Sequence, residues 1–99
     1  MLNIEKTIEN GKAKFSLFGR LDTTTAPQLE QAIKDSLQGV NELVFDIKEL
    51  EYVSSAGLRV FLSAQKIMNT QGTMKLLNVN AAVMEIFEIT GFSDILTIE

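Results

Sequence analysis

At 99 residues the chain has the length of one domain, and with neither cysteine nor histidine it is barred from disulfides, thiolate chemistry, Cys/His zinc sites and imidazole catalysis. Apolar residues make up 45% and charged residues 22%, an ordinary mixture for a globular protein with one modest core. The net charge of −4, with seven lysines and two arginines scattered along the chain, argues against nucleic-acid binding, and no apolar run nears the roughly 20 residues of a membrane span. The start, Met1-Leu2-Asn3-Ile4-Glu5-Lys6, lacks the basic-then-apolar layout of a signal peptide, so the expected location is cytoplasmic.

Leu2 to Glu9 alternates loosely and ends at Asn10-Gly11, a two-residue hairpin signal. Lys12 to Phe18 alternates well, with Ala13, Phe15 and Leu17 on one side and Lys12, Lys14 and Ser16 on the other. Together they predict an antiparallel pair. Thr25-Ala26-Pro27-Gln28 has the form of a capping box, and Leu29, Ile33 and Leu37 follow at helical spacing to a stop at Gly39. Leu43 to Ile47 predicts a buried central strand, and Lys48 to Ser54 a polar connection. A second helix is expected over about Ala56 to Asn69, ended by Gln71-Gly72. Met74 to Val79 predicts another strand, and Asn80 caps a third helix through Ile89 with Gly91 beyond it. Asp94 to Ile98 predicts a last short strand.

The order β-β-α-β-α-β-α-β implies one α/β domain over residues 1–99, with a mixed, mostly parallel sheet and helices packed on it. Sites in open sheets of this kind collect outside the carboxyl ends of strands. Ser55 opens the second helix in that neighbourhood. It is expected at the N-cap, with Ser54 competing for the role, and its hydroxyl near free backbone N–H groups. A phosphate there meets a favourable helix dipole and adds nearly two negative charges. The competing reading is a plain cap. Gly57 permits either close approach by another molecule or close packing on the sheet. Asp22, before Thr23, Thr24 and Thr25, either holds a turn through side-chain to backbone bonds or stands beside Ser55 to position a phosphorylating partner.

The second helix is apolar around more than one face. Leu58, Phe61, Leu62 and Met68 are expected in the core, and Val60, Ala64 and Ile67 either fill its flanks or meet another protein. Ser63-Ala64-Gln65-Lys66 has the S-x-x-K form of acyl-serine enzymes, but its companion motifs are absent and Ser63 falls in mid-helix. Neither of the glycine-rich phosphate-binding signatures occurs. Asp22, Asp46 and Glu51 have no spacing that demands a metal. The chain reads as a regulator rather than an enzyme: Ser54 and Ser55 have no evident base to activate them. No cofactor and no metal are expected.

Gly19-Arg20-Leu21-Asp22, Leu43-Val44-Phe45-Asp46, Val53-Ser54-Ser55-Ala56-Gly57-Leu58, Val83-Met84-Glu85-Ile86-Phe87 and Thr90-Gly91-Phe92 occur in order along the chain. In these segments the sequence resembles the stand-alone bacterial STAS-domain anti-sigma factor antagonists. The resemblance implies partner switching. An unphosphorylated antagonist binds an anti-sigma factor serine kinase and so frees a sigma factor; the kinase phosphorylates a serine and is released, and a metal-dependent serine phosphatase restores the cycle. The acceptor two residues before the glycine corresponds to Ser55. Asp22 falls at the family's acidic loop position. Ser54 and Ala56 replace an Asp and a Ser common in the family, which leaves Ser54 a second candidate acceptor. The expected partner surface comprises Asp22, Thr23, Thr24, Ser54, Ala56, Gly57, Leu58, Arg59 and Phe61, where Leu58 and Phe61 either touch the partner or brace the surface. The free protein is expected to be a monomer. The same fold could serve a signalling complex that involves no sigma factor.

Overall fold

The computed structural model describes residues 1–99. Strands β1 (Leu2–Glu9) and β2 (Lys12–Leu21) form the expected hairpin, in register from Glu9↔Lys12 to Leu2↔Gly19. Asn10 and Gly11 turn it with φ of 51° and 80°, the consecutive left-handed residues that match the twist of a tight hairpin. Helix α1 (Ala26–Ser36), strand β3 (Glu42–Val53), helix α2 (Ser55–Gln71), strand β4 (Thr73–Leu77) and helix α3 (Ala81–Thr90) follow. The sheet order is β1-β2-β3-β4, antiparallel between β1 and β2 and parallel thereafter.

The last β of the expected order is one bridge long. Ile98 pairs in parallel with Leu76, whose N–H donates to the Thr97 carbonyl at 2.9 Å. The strand expected from Asp94 starts late because Gly91, at φ 82°, closes α3 and leads into a 3-10 turn over Phe92–Asp94. Asn80 caps α3 as expected, accepting from the Val83 N–H at 3.0 Å. Its amide also donates to the Leu50 carbonyl at 2.7 Å, so the cap ties α3 to β3.

Expectations on either side of the site need correction. Lys48 to Ser54 is not a polar connection, because β3 continues to Val53 and β2 continues beside it to Leu21. The pairing jumps from Ser16↔Asp46 to Phe18↔Glu49, and again from Gly19↔Leu50 to Arg20↔Tyr52. Each jump inserts one extra residue in β3, a bulge that resets the pleat. The inward residues Ile47, Leu50 and Val53 therefore recur every third position, and strand alternation is lost from the sequence. The capping box at Thr25 is also not formed. Thr25 already has helical dihedrals (φ −104°, ψ −18°), so its hydroxyl donates to the Arg20 carbonyl at 2.8 Å and accepts from the Asp22 N–H at 2.8 Å. Gln28 donates instead to the Leu2 carbonyl at 3.1 Å.

The core is one cluster in which Ala13, Phe15 and Leu17 of β2 meet buried residues of all three helices. Four phenylalanines run through it. Phe15 and Phe45 lie 5.6 Å apart, Phe45 and Phe61 5.2 Å, and Phe61 and Phe87 6.2 Å, the last two pairs edge-on. Such pairs contribute about 0.5–1.5 kcal/mol each beyond area burial. The opposite sheet face sets the buried Val44 among charged neighbours, and Glu42 there pairs with Lys12 at 3.8 Å and Lys75 at 3.7 Å.

The apolar girth of α2 is explained within the chain. One side meets the sheet and α3 through Phe61, and Val60 and Ala64 are buried together with Ile33 of α1. Leu62, expected in the core, is only half-buried, as is Ile67. Between α1 and α2 lies a shallow groove of about 350 Å³ floored by Ile33, Val60, Ala64 and Ile67, with Ser63 and Lys66 on its rim.

Candidate functional site

Strands β2 and β3 end side by side at Leu21↔Val53, and the two chains leave the sheet there. The Ser54 N–H donates to the Leu21 carbonyl at 2.8 Å, which fastens the start of α2 to the loop that carries Asp22. Ser54, not Ser55, is the N-cap. It keeps the extended backbone of β3 (φ −88°, ψ 175°), and its hydroxyl accepts from the Gly57 N–H at 3.3 Å. A cap has to be the last extended residue before the helix. The bond from Ser54 to Leu21 makes it so and leaves Ser55 at the first helical position. The Ser55 side chain is exposed there, and its hydroxyl is free of the capping bond.

Asp22 sits half-buried at the mouth of its loop. Its Oδ1 accepts from the Thr24 hydroxyl at 2.7 Å, the Thr24 N–H at 3.0 Å and the Thr25 N–H at 3.1 Å. The Thr24 hydroxyl bond is the largest influence holding the carboxyl below its ordinary pKa; desolvation opposes it, and the backbone donors of Thr24 and Thr25 reinforce it. Asp22 therefore stabilises a turn, the plainer of its two expected roles, and places a fixed negative charge beside the first turn of α2. Thr23 and Thr24 are exposed on the same loop.

Gly57 is buried by close packing. A Cβ built on it would stand 2.7 Å from Leu21 Cγ and 3.1 Å from the Leu21 carbonyl oxygen. Leu58 is 5% exposed and Phe61 fully buried, so neither Gly57 nor Phe61 can offer a contact to another molecule, and Leu58 almost none. Their part in the expected partner surface is corrected to bracing: they hold the start of α2 against the sheet. Ala56 is half-buried, and Arg59 is exposed one turn beyond Ser55. The site's exposed groups are thus Ser55, Thr23, Thr24 and Arg59, framed by half-buried Asp22, Ser54 and Ala56.

Sequence reasoning missed the stack of Arg20 on Tyr52 at the edge of this site. The guanidinium carbon lies 4.6 Å from the ring centroid. The signal was hidden because Tyr52 fell in the stretch read as a connection rather than a strand. Elsewhere, Asp46 accepts from the Lys48 N–H and from the Asn78 amide, each at 3.2 Å. Asp22, Asp46 and Glu51 are not gathered into a metal-holding cluster. No helix is long and apolar enough to cross a membrane.

Comparison with known proteins gives a consistent picture. The family model for the STAS domain matches residues 3–99. An anti-sigma-B factor antagonist of Staphylococcus aureus is 30% identical over 97 residues, covering 96% of this chain and 90% of that protein. The crystal structure of an anti-sigma factor antagonist from Mycobacterium paratuberculosis superposes with a TM-score of 0.88 at 22% identity, over 99% of this chain and 85% of the other. The Bacillus cell fate determinant SpoIIAA in its phosphorylated form shares the fold with a TM-score of 0.74 at 19% identity, over 100% of this chain and 91% of the other.

Proposed function

Because the chain belongs to the STAS domain family, we propose that it works as an anti-sigma factor antagonist, with Ser55 as its phosphorylation switch. In the unmodified state the surface around Ser55, with Asp22, Thr23, Thr24, Ser54, Ala56 and Arg59, docks on an anti-sigma factor that is also a serine kinase, and a sigma factor is freed. The kinase supplies the ATP site and transfers phosphate to Ser55. A metal-dependent serine phosphatase removes it. The protein is a cytoplasmic regulator and performs no catalysis of its own.

The observation that carries the reading is the division of labour between the serines. Ser54 is committed to capping α2, whereas Ser55 is exposed and uncommitted. Phosphorylation of Ser55 therefore leaves the cap intact, and the helix dipole tolerates the new charge. At the docking surface the same group adds nearly two negative charges, with repulsion and desolvation costs. Release from mostly bound to mostly free requires a change in affinity of about a hundredfold, roughly 2.7 kcal/mol.

The test is incubation with ATP and candidate anti-sigma kinases from the same genome, followed by phosphosite mapping by mass spectrometry. Phosphate is expected on Ser55, and it disappears in Ser55→Ala. Ser55→Ala retains kinase binding, whereas Ser55→Asp weakens it. Phosphate on Ser54 or elsewhere that persists in Ser55→Ala overturns the assignment, as does equal binding by folded Ser55→Ala and Ser55→Asp.

A further inference from the structure

Of the three α-helices only α3 carries a large apolar side chain in solvent: Ile89, 77% exposed in the last turn. Ile86, its neighbour three residues earlier, is half-buried at the edge of the core. Ile95, just beyond the 3-10 turn that packs against α3, is 48% exposed. These residues stand toward the end of the domain away from Ser55. Asn80 ties the start of α3 to Leu50, near the end of β3, and the helix runs back from there. Ile98 pairs in parallel with Leu76, so the residues before it lie toward the start of β4, whereas Ser55 follows the end of β3.

The charge around them has one sign. From Leu76 to Glu99 the chain has no lysine or arginine, and its charged residues there are Glu85, Glu88, Asp94 and Glu99, all exposed. Glu85 is the i,i+4 neighbour of Ile89 and the i,i+3 neighbour of Glu88, and Asp94 directly precedes Ile95. Glu85, Glu88 and Asp94 join no ion pair. The bases of the neighbouring elements stand elsewhere. Lys48 of β3 is at the opposite end of α3, Lys66 of α2 lines the groove against α1, and Lys75 of β4 pairs with Glu42 and Glu99. A second copy of this chain would set acid against acid, and an anionic lipid surface would be repelled in the same way. An apolar anchor beside uncompensated acids is complementary instead to a helix whose apolar residues are flanked by lysine or arginine. We infer that the C-terminal end of α3, with Ile95, is a second docking face, and that its occupant is a basic amphipathic helix of a partner protein. The face does not depend on the reading of Ser55 and leaves that serine uncovered, so one protein can hold the chain at this end while another meets the Ser55 surface.

The test is an NMR titration of the isotope-labelled chain with a synthetic helix of about four turns that carries leucine along one face and lysine on the rest. The methyl signals of Ile86, Ile89 and Ile95 are expected to shift while the Ser55 amide stays in place. Ile89→Gln, a change at an exposed position that keeps the wild-type melt, should weaken binding about tenfold. The double variant Glu85→Gln with Glu88→Gln should also weaken it about tenfold and flatten its salt dependence. Glu5→Gln with Glu9→Gln, which removes two exposed acids from β1, leaves affinity unchanged. A version of the peptide with glutamate in place of lysine does not bind. Failure of the lysine peptide to bind, equal affinity in Ile89→Gln, an equal loss in the Glu5 and Glu9 variant, or shifts centred on the Ser55 surface overturns the inference. So does self-association in sedimentation that Ile89→Gln abolishes, which gives the face to a second copy. Flotation with phosphatidylglycerol vesicles that is lost in Ile89→Gln overturns it in favour of lipid.

Discussion

Gly57→Ala tests how the start of α2 is held. Alanine is the better helix former by about 0.8–1.0 kcal/mol, so local propensity alone predicts a more stable protein. The tertiary environment predicts the reverse. The new methyl would lie 2.7 Å from Leu21 Cγ and 2.9 Å from Leu21 Cδ2. Leu21 has no room to give, being fully buried at the end of β2 with its carbonyl bonded to the Ser54 N–H at 2.8 Å. Overpacking of this kind costs about 1–3 kcal/mol. The midpoint of that range exceeds the propensity gain by about 1 kcal/mol, which for a domain of this size lowers Tm by roughly 4–8 °C. Calorimetric or dichroism melts measure it directly. Introducing the same change into a Leu21→Ala background, which removes both Cγ and Cδ2, should shrink the penalty, with a coupling of at least about 0.5 kcal/mol between the sites. A Tm that rises in Gly57→Ala, or a penalty unchanged by Leu21→Ala, would refute the argument that the glycine is there to let the helix approach Leu21.

Ser54→Ala should lose about 0.5–1 kcal/mol, the low end of the usual range for a cap because its bond to the Gly57 N–H is long at 3.3 Å. Ser55→Ala should stay within about 0.5 kcal/mol of wild type by the same melts, since its hydroxyl is exposed; the reverse ranking would exchange the roles of the two serines. The Asp22 carboxyl is held below its ordinary pKa by Thr24 and Thr25, so its contribution to stability is complete above the unfolded-state value near pH 4. That contribution is lost as pH falls through the lower folded-state value. Asp22→Asn should therefore flatten the acid limb of a plot of Tm against pH and leave its slope near neutrality unchanged, whereas an unaltered acid limb would show that the turn does not depend on the charge.

The elements that were legible in the sequence are those set by local chemistry. Asn10-Gly11 turns a hairpin because both residues accept positive φ. Asn80 starts α3 and Gly91 ends it because the cap and the left-handed stop act within a few residues. The chain order of strands and helices, and with it the parallel sheet, followed from apolar spacing and short connections. What the sequence could not reveal depended on partners far along the chain. The bulged half of β3 was hidden because its period is set by register against β2, which replaces alternation with inward residues at Ile47, Leu50 and Val53. The choice of Ser54 over Ser55 as the cap was decided by a hydrogen bond to Leu21, a residue of a different strand. Leu58 and Phe61 were placed in the core by helical spacing, but whether Gly57 packs on the sheet or admits another molecule was decided only by its contact with Leu21 on a different strand. Local bonding within a few residues determined the inventory of elements, and tertiary contact alone decided which hydroxyl is spent on the fold and which is left exposed to solvent.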